Sequence, residues 1–248
     1  SRLLHLYDKN CTGNIMAWDT IGSVFGSIAT TLILMPFLGV NYTVGLVILL
    51  GCVCALLSSC TTQTRADRIR TQLLNCDESS VIVVAHRADW RNFPENSLEA
   101  IQSSIDMGVD MLEIDVQRTK DGVLMLMHDH NLDRMTNGSG NIAETTWEEI
   151  SKLNLKDHQG NLTEYKVPTL EQALLLCKDR IMINLDKADR YFDEVFALLE
   201  KTGTTNLIVM KGGQPAKEVK EKFGAYLDKV IYMPVVTINN VESEKAIY

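Results

Sequence analysis

From residue 81 onward the sequence predicts an α/β fold, and three observations predict it. Short apolar runs stop on charged or imidazole residues, as at Val81-Ile82-Val83-Val84-Ala85 before His86 and Leu207-Ile208-Val209-Met210 before Lys211. Between the runs lie stretches of helical length, two of them preceded by threonines suited to capping. Runs and stretches alternate along the chain, the pattern of strands joined by helices. Ahead of them the sequence changes kind, with no charged residue between Asp19 and Arg65.

The uncharged stretch comes first. A membrane helix needs roughly 20 apolar residues, so residues 18–38 and 40–59 predict two spans, with the turn just after Pro36. Gly22 and Gly26 are spaced for close helix packing. Two topologies fit. Arg65, Arg68 and Arg70 after the run favour a cytoplasmic flank. Leu57-Ser58-Ser59-Cys60 instead has the form of a lipoprotein cleavage site, which would leave an anchor on Cys60 and the following domain outside. Either way the chain is expected to be membrane-associated through its N-terminal segment. The domain reading is 1–60 membrane segment, 61–80 polar and partly helical linker, and 81–248 catalytic domain.

Within the last part, strands are expected at 81–85, 111–116, 123–127, 181–186, 206–210 and 229–236. Helices are expected at 96–107, 145–153, 169–178, 190–202 and 214–223. Pro94-Glu95-Asn96-Ser97 opens the first helix, where Glu95 and Asn96 can cap it or serve a site. Thr145-Thr146 and Thr169 suit the next two caps.

Composition excludes some classes. The net charge is −8 and there is no basic stripe, so no nucleic-acid partner is expected. Of six cysteines, Cys11, Cys52, Cys54 and Cys60 lie in or before the apolar segment, leaving only Cys76 and Cys177. That distribution implies no disulfide framework, and no cysteine sits near the polar strand ends to act as a thiolate or build a zinc site.

The chemistry collects where the strands end. His86-Arg87, Glu113-x-Asp115 and His128-Asp129 each close or flank an apolar run. Two imidazoles and two carboxylates can hold a divalent cation and move protons. Thr119-Lys120-Asp121-Gly122 predicts a tight turn. A pivot between Lys120 and Asp121 sets Glu113 across from His128 and Asp115 across from Leu126. Glu113, Asp115 and His128 then share one face. His5, His130 and His158 carry no motif and read as surface histidines.

His86-Arg87, Pro94-Glu95-Asn96-Ser97, Glu113-Ile114-Asp115-Val116, Thr119-Lys120-Asp121-Gly122, His128-Asp129 and Leu132-Asp133-Arg134-Met135-Thr136-Asn137-Gly138 follow in order. Together they resemble the glycerophosphodiester phosphodiesterase family, over residues 81–248 and most densely to Gly140. The resemblance implies a (β/α)8 barrel of TIM type with its site at the C-terminal strand ends. It implies a divalent metal, Ca2+ or Mg2+, on Glu113 and Asp115, His86 and His128 as general acid and base, and Arg87 on the substrate phosphate. The products would be a glycerol phosphate and an alcohol. Hard oxygen ligands suit Ca2+ or Mg2+, and arginine can grip two phosphate oxygens at once.

Two departures from the family pattern stand out. Ala88 replaces the usual glycine after the first motif. A later strand usually carries Glu-x-Lys, whereas here Ile183-Asn184-Leu185-Asp186-Lys187 sets the acid next to the lysine. Asp186 is expected as the third carboxylate ligand and Lys187 as a phosphate contact. Asn184 shares the face of Asp186 by alternation. Lys211 reads equally as a cleft residue or a loop lysine. The number of strands and the early stop of the chain predict a barrel incomplete at its C-terminal side. Two other readings use the same residues: a phospholipase of this fold, and a membrane-tethered, catalytically silent binder of phosphodiesters or a protein partner. A short stretch, Gly13 to Ser27 with Leu34 to Gly39, resembles a transmembrane piece of spermidine-synthase-like membrane proteins.

Overall fold

The computed structural model describes residues 63–75, 81–227 and 229–237, with Leu49 and Asn240. The chain divides into two compact units, Ser1–Thr62 and Gln63–Tyr248. The expected membrane spans, the spermidine-synthase-like stretch and Cys60 all lie outside the described residues. Among the described residues no helix is long and apolar enough to cross a membrane.

The second unit opens with helix α1 (Arg65–Asn75), inside the stretch read as a linker. There follow β1 (Val84–His86), α2 (Leu98–Asp106), β2 (Met111–Arg118) and β3 (Leu124–Leu126). Next come α3 (Trp147–Ile150), β4 (Asn154–Lys156), β5 (Leu162–Lys166) and α4 (Leu170–Cys177). The unit continues through β6 (Met182–Asp186), α5 (Phe192–Thr202), β7 (Ile208–Gly212), α6 (Ala216–Leu227) and β8 (Ile231–Pro234). Five strands run parallel in the order β1-β2-β6-β7-β8.

Parallel register fixes which side chains share a face. His86 sits beside Glu113, Glu113 beside Asn184, and Asn184 beside Val209. Two residues further on, Asp115 sits beside Asp186 and Asp186 beside Lys211. The opposite face carries Leu112, Ile114, Ile183, Leu185, Ile208 and Met210, which form one core with α2, α4, α5 and α6. Burial on both faces explains why these strands read as near-continuous apolar runs.

The inner face is graded along the strands. At their N-terminal ends Met111, Met182 and Val209 pack with Ile69 of α1. At their C-terminal ends the same face carries Glu113, Asp115, Asp186 and Lys211. Helix α1 therefore closes the apolar end and leaves the polar end for chemistry. Arg65 holds it there, donating to the carbonyls of Gly108, Val109 and Arg180 at 2.8–3.0 Å.

Three expectations change. First, the run 124–126 pairs antiparallel with the end of β2, as the hairpin reading expects, but not in the expected register. Its register is one residue off the expected hairpin: Val116, not Asp115, lies across from Leu126. The cause is the turn. The Thr119 amide donates to the Val123 carbonyl at 3.0 Å, and Gly122 takes φ +86°. The loop thus has three residues rather than two, and the pivot falls on Asp121. A shift of one residue reverses every face, so this hairpin is not what brings His128 to the acids. Second, β1 is short and lies at the sheet edge, with Val81 80% exposed, rather than a buried strand over 81–85. Third, the hairpin β4–β5 was not expected. It belongs to an insertion between β3 and α4 whose own core holds Met127, Leu132, Met135, Ile142, Ile150 and Leu155.

Helix starts follow the local signals. Thr146 and Thr169 head α3 and α4 with capping boxes completed by Glu149 and Gln172. Helix α2 is capped by Ser97, whose hydroxyl accepts from the Ala100 amide at 3.1 Å. That releases Glu95 and Asn96 for other work.

Candidate active site

The first site element is the turn after β1. Arg87 and Ala88 both adopt left-handed backbone, φ +53° and +60°, which costs L-residues about 1–2 kcal/mol each. Strain of this kind gathers where side chains must be aimed. The turn brings the Arg87 amide to Glu113 Oε2 at 3.0 Å and leaves His86 Nε2 3.8 Å from the same oxygen. His86 is 64% exposed, at the mouth of the cleft.

Asp115 is the deepest charge, fully buried. A buried carboxylate needs partners on each oxygen. Lys187 Nζ reaches Oδ1 at 2.9 Å, Asn96 Nδ2 donates to Oδ2 at 3.1 Å, and Arg87 Nε stands 3.7 Å from Oδ2. Asn96 also accepts the Asp115 amide through Oδ1 at 3.1 Å. Its own left-handed backbone, φ +59°, turns the amide inward.

Lys187 solves the puzzle of an acid and a lysine side by side. Strand alternation would send it to the opposite face from Asp186. Its φ of +62° breaks the alternation as β6 ends, and the side chain returns to Asp115 and to the His128 carbonyl at 2.8 Å. Asp186 stays on the inner face, with Lys211 Nζ 3.3 Å from Oδ2. Lys211 therefore faces the cleft.

Glu113, Asp115 and Asp186 each offer a carboxylate oxygen, and those oxygens lie within 4.8 Å of one another. Burial first, and the neighbouring Asp115 second, push the Glu113 carboxyl above its ordinary value. Acids crowded in this way, all hard oxygen donors, fit a divalent cation of the Ca2+ or Mg2+ type. Asn184 Oδ1, beside Glu113 in the register, is buried without a hydrogen-bond partner. Arg87 Nε is likewise buried and makes no hydrogen bond, with Asp115 Oδ2 3.7 Å away.

His128 enters by a different route. Its Nδ1 lies 2.6 Å from Asp129 Oδ1. Arg134 donates to Asp129 through Nε at 2.6 Å and through its η2 nitrogen at 3.1 Å. The same guanidinium grips both oxygens of Glu95 at 2.6 and 3.2 Å. Glu95 in turn accepts from Arg87 at 3.1 Å. The hydrogen bonds from Arg134, then the His128 ring, hold the Asp129 carboxyl well below the usual carboxylate range. An ionised Asp129 accepts at this contact, and a neutral His128 ring that meets it donates from Nδ1.

Comparison with known proteins gives these residues a context. The sequence matches the glycerophosphoryl diester phosphodiesterase family over residues 86–219, more than half of the chain. The chain belongs to this family. It is 39% identical over 107 residues to a glycerophosphodiester phosphodiesterase of Caldanaerobacter subterraneus, covering 42% of this chain and 44% of that protein. To mouse glycerophosphodiester phosphodiesterase 1 it is 31% identical over 163 residues, 64% of this chain and 49% of the other. The chain thus spans about half the length of these curated relatives. Among solved structures, a glycerophosphoryl diester phosphodiesterase from Parabacteroides distasonis aligns with a TM-score of 0.63 at 26% identity, over 73% of this chain and 64% of that one. A phosphodiesterase of Oleispira antarctica, solved with the product sn-glycerol-3-phosphate, aligns with a TM-score of 0.56 at 19% identity, over 67% and 71%. These neighbours place the fold as a TIM-type α/β barrel, of which the five parallel strands are an arc.

The structure brings His86, Arg87, Glu113, Asp115, Asp186 and Lys187 to one end of the sheet, as the sequence pattern leads one to expect. Glu95, Asn96 and Arg134 are the residues that pattern left undecided or unassigned. Their signal was present in the two short polar motifs around them, but nothing local says which carboxylate or guanidinium each one meets.

Proposed function

We propose that this chain is a metal-dependent phosphodiesterase that cleaves glycerophosphodiesters into glycerol 3-phosphate and an alcohol. One observation carries the reading: the buried carboxylates of Glu113 and Asp115 and the partly buried one of Asp186 converge beside the Arg87 guanidinium at the polar end of the parallel sheet. The activity named for the relatives, and the product bound in the Oleispira antarctica structure, support the same chemistry.

Glu113, Asp115 and Asp186 would hold the cation, Ca2+ or Mg2+. When bound, the cation supplies electrostatic stabilisation for charge that builds on the phosphoryl oxygens. Arg87 grips the phosphate with its guanidinium, and Lys187 contributes a second positive charge from the floor of the cleft. His128 Nε2 and the exposed His86 ring share the proton transfers: one takes a proton from the attacking water as its oxygen bonds to phosphorus, and the other gives one to the departing alcohol. A binder without turnover needs only the cations and the metal. The presence of both histidines beside the paired carboxylate motif favours the enzyme over the silent binder. Membrane association through residues 18–59 is part of the proposal, supported by the absence of charged residues between Asp19 and Arg65.

The test uses the purified chain with glycerophosphocholine, with Ca2+ or Mg2+ and with chelator. Metal-dependent release of glycerol phosphate is expected, reduced roughly 10²–10⁴-fold in His86→Ala. A folded protein that releases none at any concentration of either metal overturns the reading.

A further inference from the structure

Arg134 lies in the insertion and Glu95 in the loop between β1 and α2, yet their contacts close a ring through the site. It runs from the His128 ring to Asp129, Arg134, Glu95, Arg87, Asp115 and Lys187, and returns to the His128 carbonyl. Arg134 grips two carboxylates, each through two nitrogens. We propose that Arg134 is a positioning residue for two groups at once: through Asp129 it holds His128 with its proton on Nδ1, and through Glu95 it aims Arg87 at the phosphate. The inference rests on the phosphodiesterase reading above.

The geometry favours this over a loop clamp at the surface. Both oxygens of Asp129 accept from Arg134, so Oδ1 meets the His128 ring with its charge and direction already set. Glu95 is 12% exposed and sits between two guanidinium groups. Without Arg134 it would answer to Arg87 alone and pull it from the line to the phosphate. Lysine cannot replace the planar fork, because a single ammonium cannot align two carboxylates in two directions. Small displacements of such groups cost about 100-fold in rate.

The test reads the ring and the reaction separately. In the full chain, ¹⁵N NMR of the His128 ring is expected to show the Nδ1–H tautomer, shifting toward a mixture in Arg134→Gln. With glycerophosphocholine, kcat of Arg134→Gln falls roughly 10–100-fold and KM rises. Arg134→Lys restores neither, while added guanidinium restores part of the activity of Arg134→Ala. An unchanged tautomer and kcat in folded Arg134→Gln overturns the proposal. If Arg134→Gln does not fold, Glu95→Gln serves instead: a raised KM with the His128 tautomer intact supports the two-armed role, and an unchanged KM overturns it. A tautomer shift without turnover by the wild-type chain sinks the phosphodiesterase reading alone. Turnover without a tautomer shift sinks the proposal alone.

Discussion

Lys187 Nζ lies 2.9 Å from Asp115 Oδ1 because Lys187 ends β6 in left-handed backbone, φ +62°. The contact ties the end of one strand to the buried acid of its neighbour and carries the ammonium on to the His128 carbonyl. Removing it leaves Asp115, with no exposed surface, one cation short. Lys187→Met is expected to cost roughly 2–3 kcal/mol of stability, since Arg87 and Asn96 remain. Urea unfolding measures it; a loss below the error of the fit contradicts the pairing.

Glu113 provides a pH signature. Its folded carboxyl titrates above the ordinary value of 4.5, through burial and then Asp115. A raised acid contributes stability that is present below its unfolded pKa and lost as pH rises through the folded one. The metal-free chain should therefore lose stability from this group as pH rises out of the ordinary carboxylate range. Ca2+ or Mg2+ should recover more stability at neutral pH than at acid pH. Glu113→Gln should flatten the metal-free dependence. Thermal melts across pH, with and without metal, decide it, and an identical slope in Glu113→Gln counts against the shift.

Asn96 combines left-handed backbone with two hydrogen bonds to Asp115, so two variants separate its roles. Asn96→Gly keeps the backbone and loses the amide, at about 2 kcal/mol. Asn96→Ala loses the amide and adds a Cβ penalty of about 1 kcal/mol. Denaturation should rank wild type above Asn96→Gly above Asn96→Ala. Equal stability of the two variants would mean the backbone relaxes.

Ala88 is buried and held at φ +60°. Ala88→Gly removes the Cβ that makes this conformation costly and is expected to stabilise the chain by about 0.5–1 kcal/mol, net of the entropy glycine loses on folding. A melting temperature higher by a few degrees is the expected reading. A lower one would place the value of Ala88 in its packing.

Much of the architecture could be read from local pattern. Runs such as Ile181 to Asp186 and Leu207 to Lys211 lie on strands, with ends shifted by a residue or two. Thr146 and Thr169 cap helices because a threonine hydroxyl answers a local need. The β2–β3 register was misjudged because a two-residue turn and a three-residue turn with Gly122 left-handed look alike in sequence. The β4–β5 hairpin is not legible in the sequence because its alternating, half-exposed residues carry little apolar signal.

By itself the sequence determined which residue types stand at the strand ends, and with them the family and the acidic, imidazole-bearing character of the site. Those features depend on neighbours a few positions away. Tertiary structure alone decided that Lys187 turns back to Asp115, and that Glu95 meets Arg134 across 39 positions of chain. Such contacts join a buried charge to whichever opposite charge the fold carries past it. Desolvation makes the pairing obligatory, and only the packed chain determines which residue is the partner.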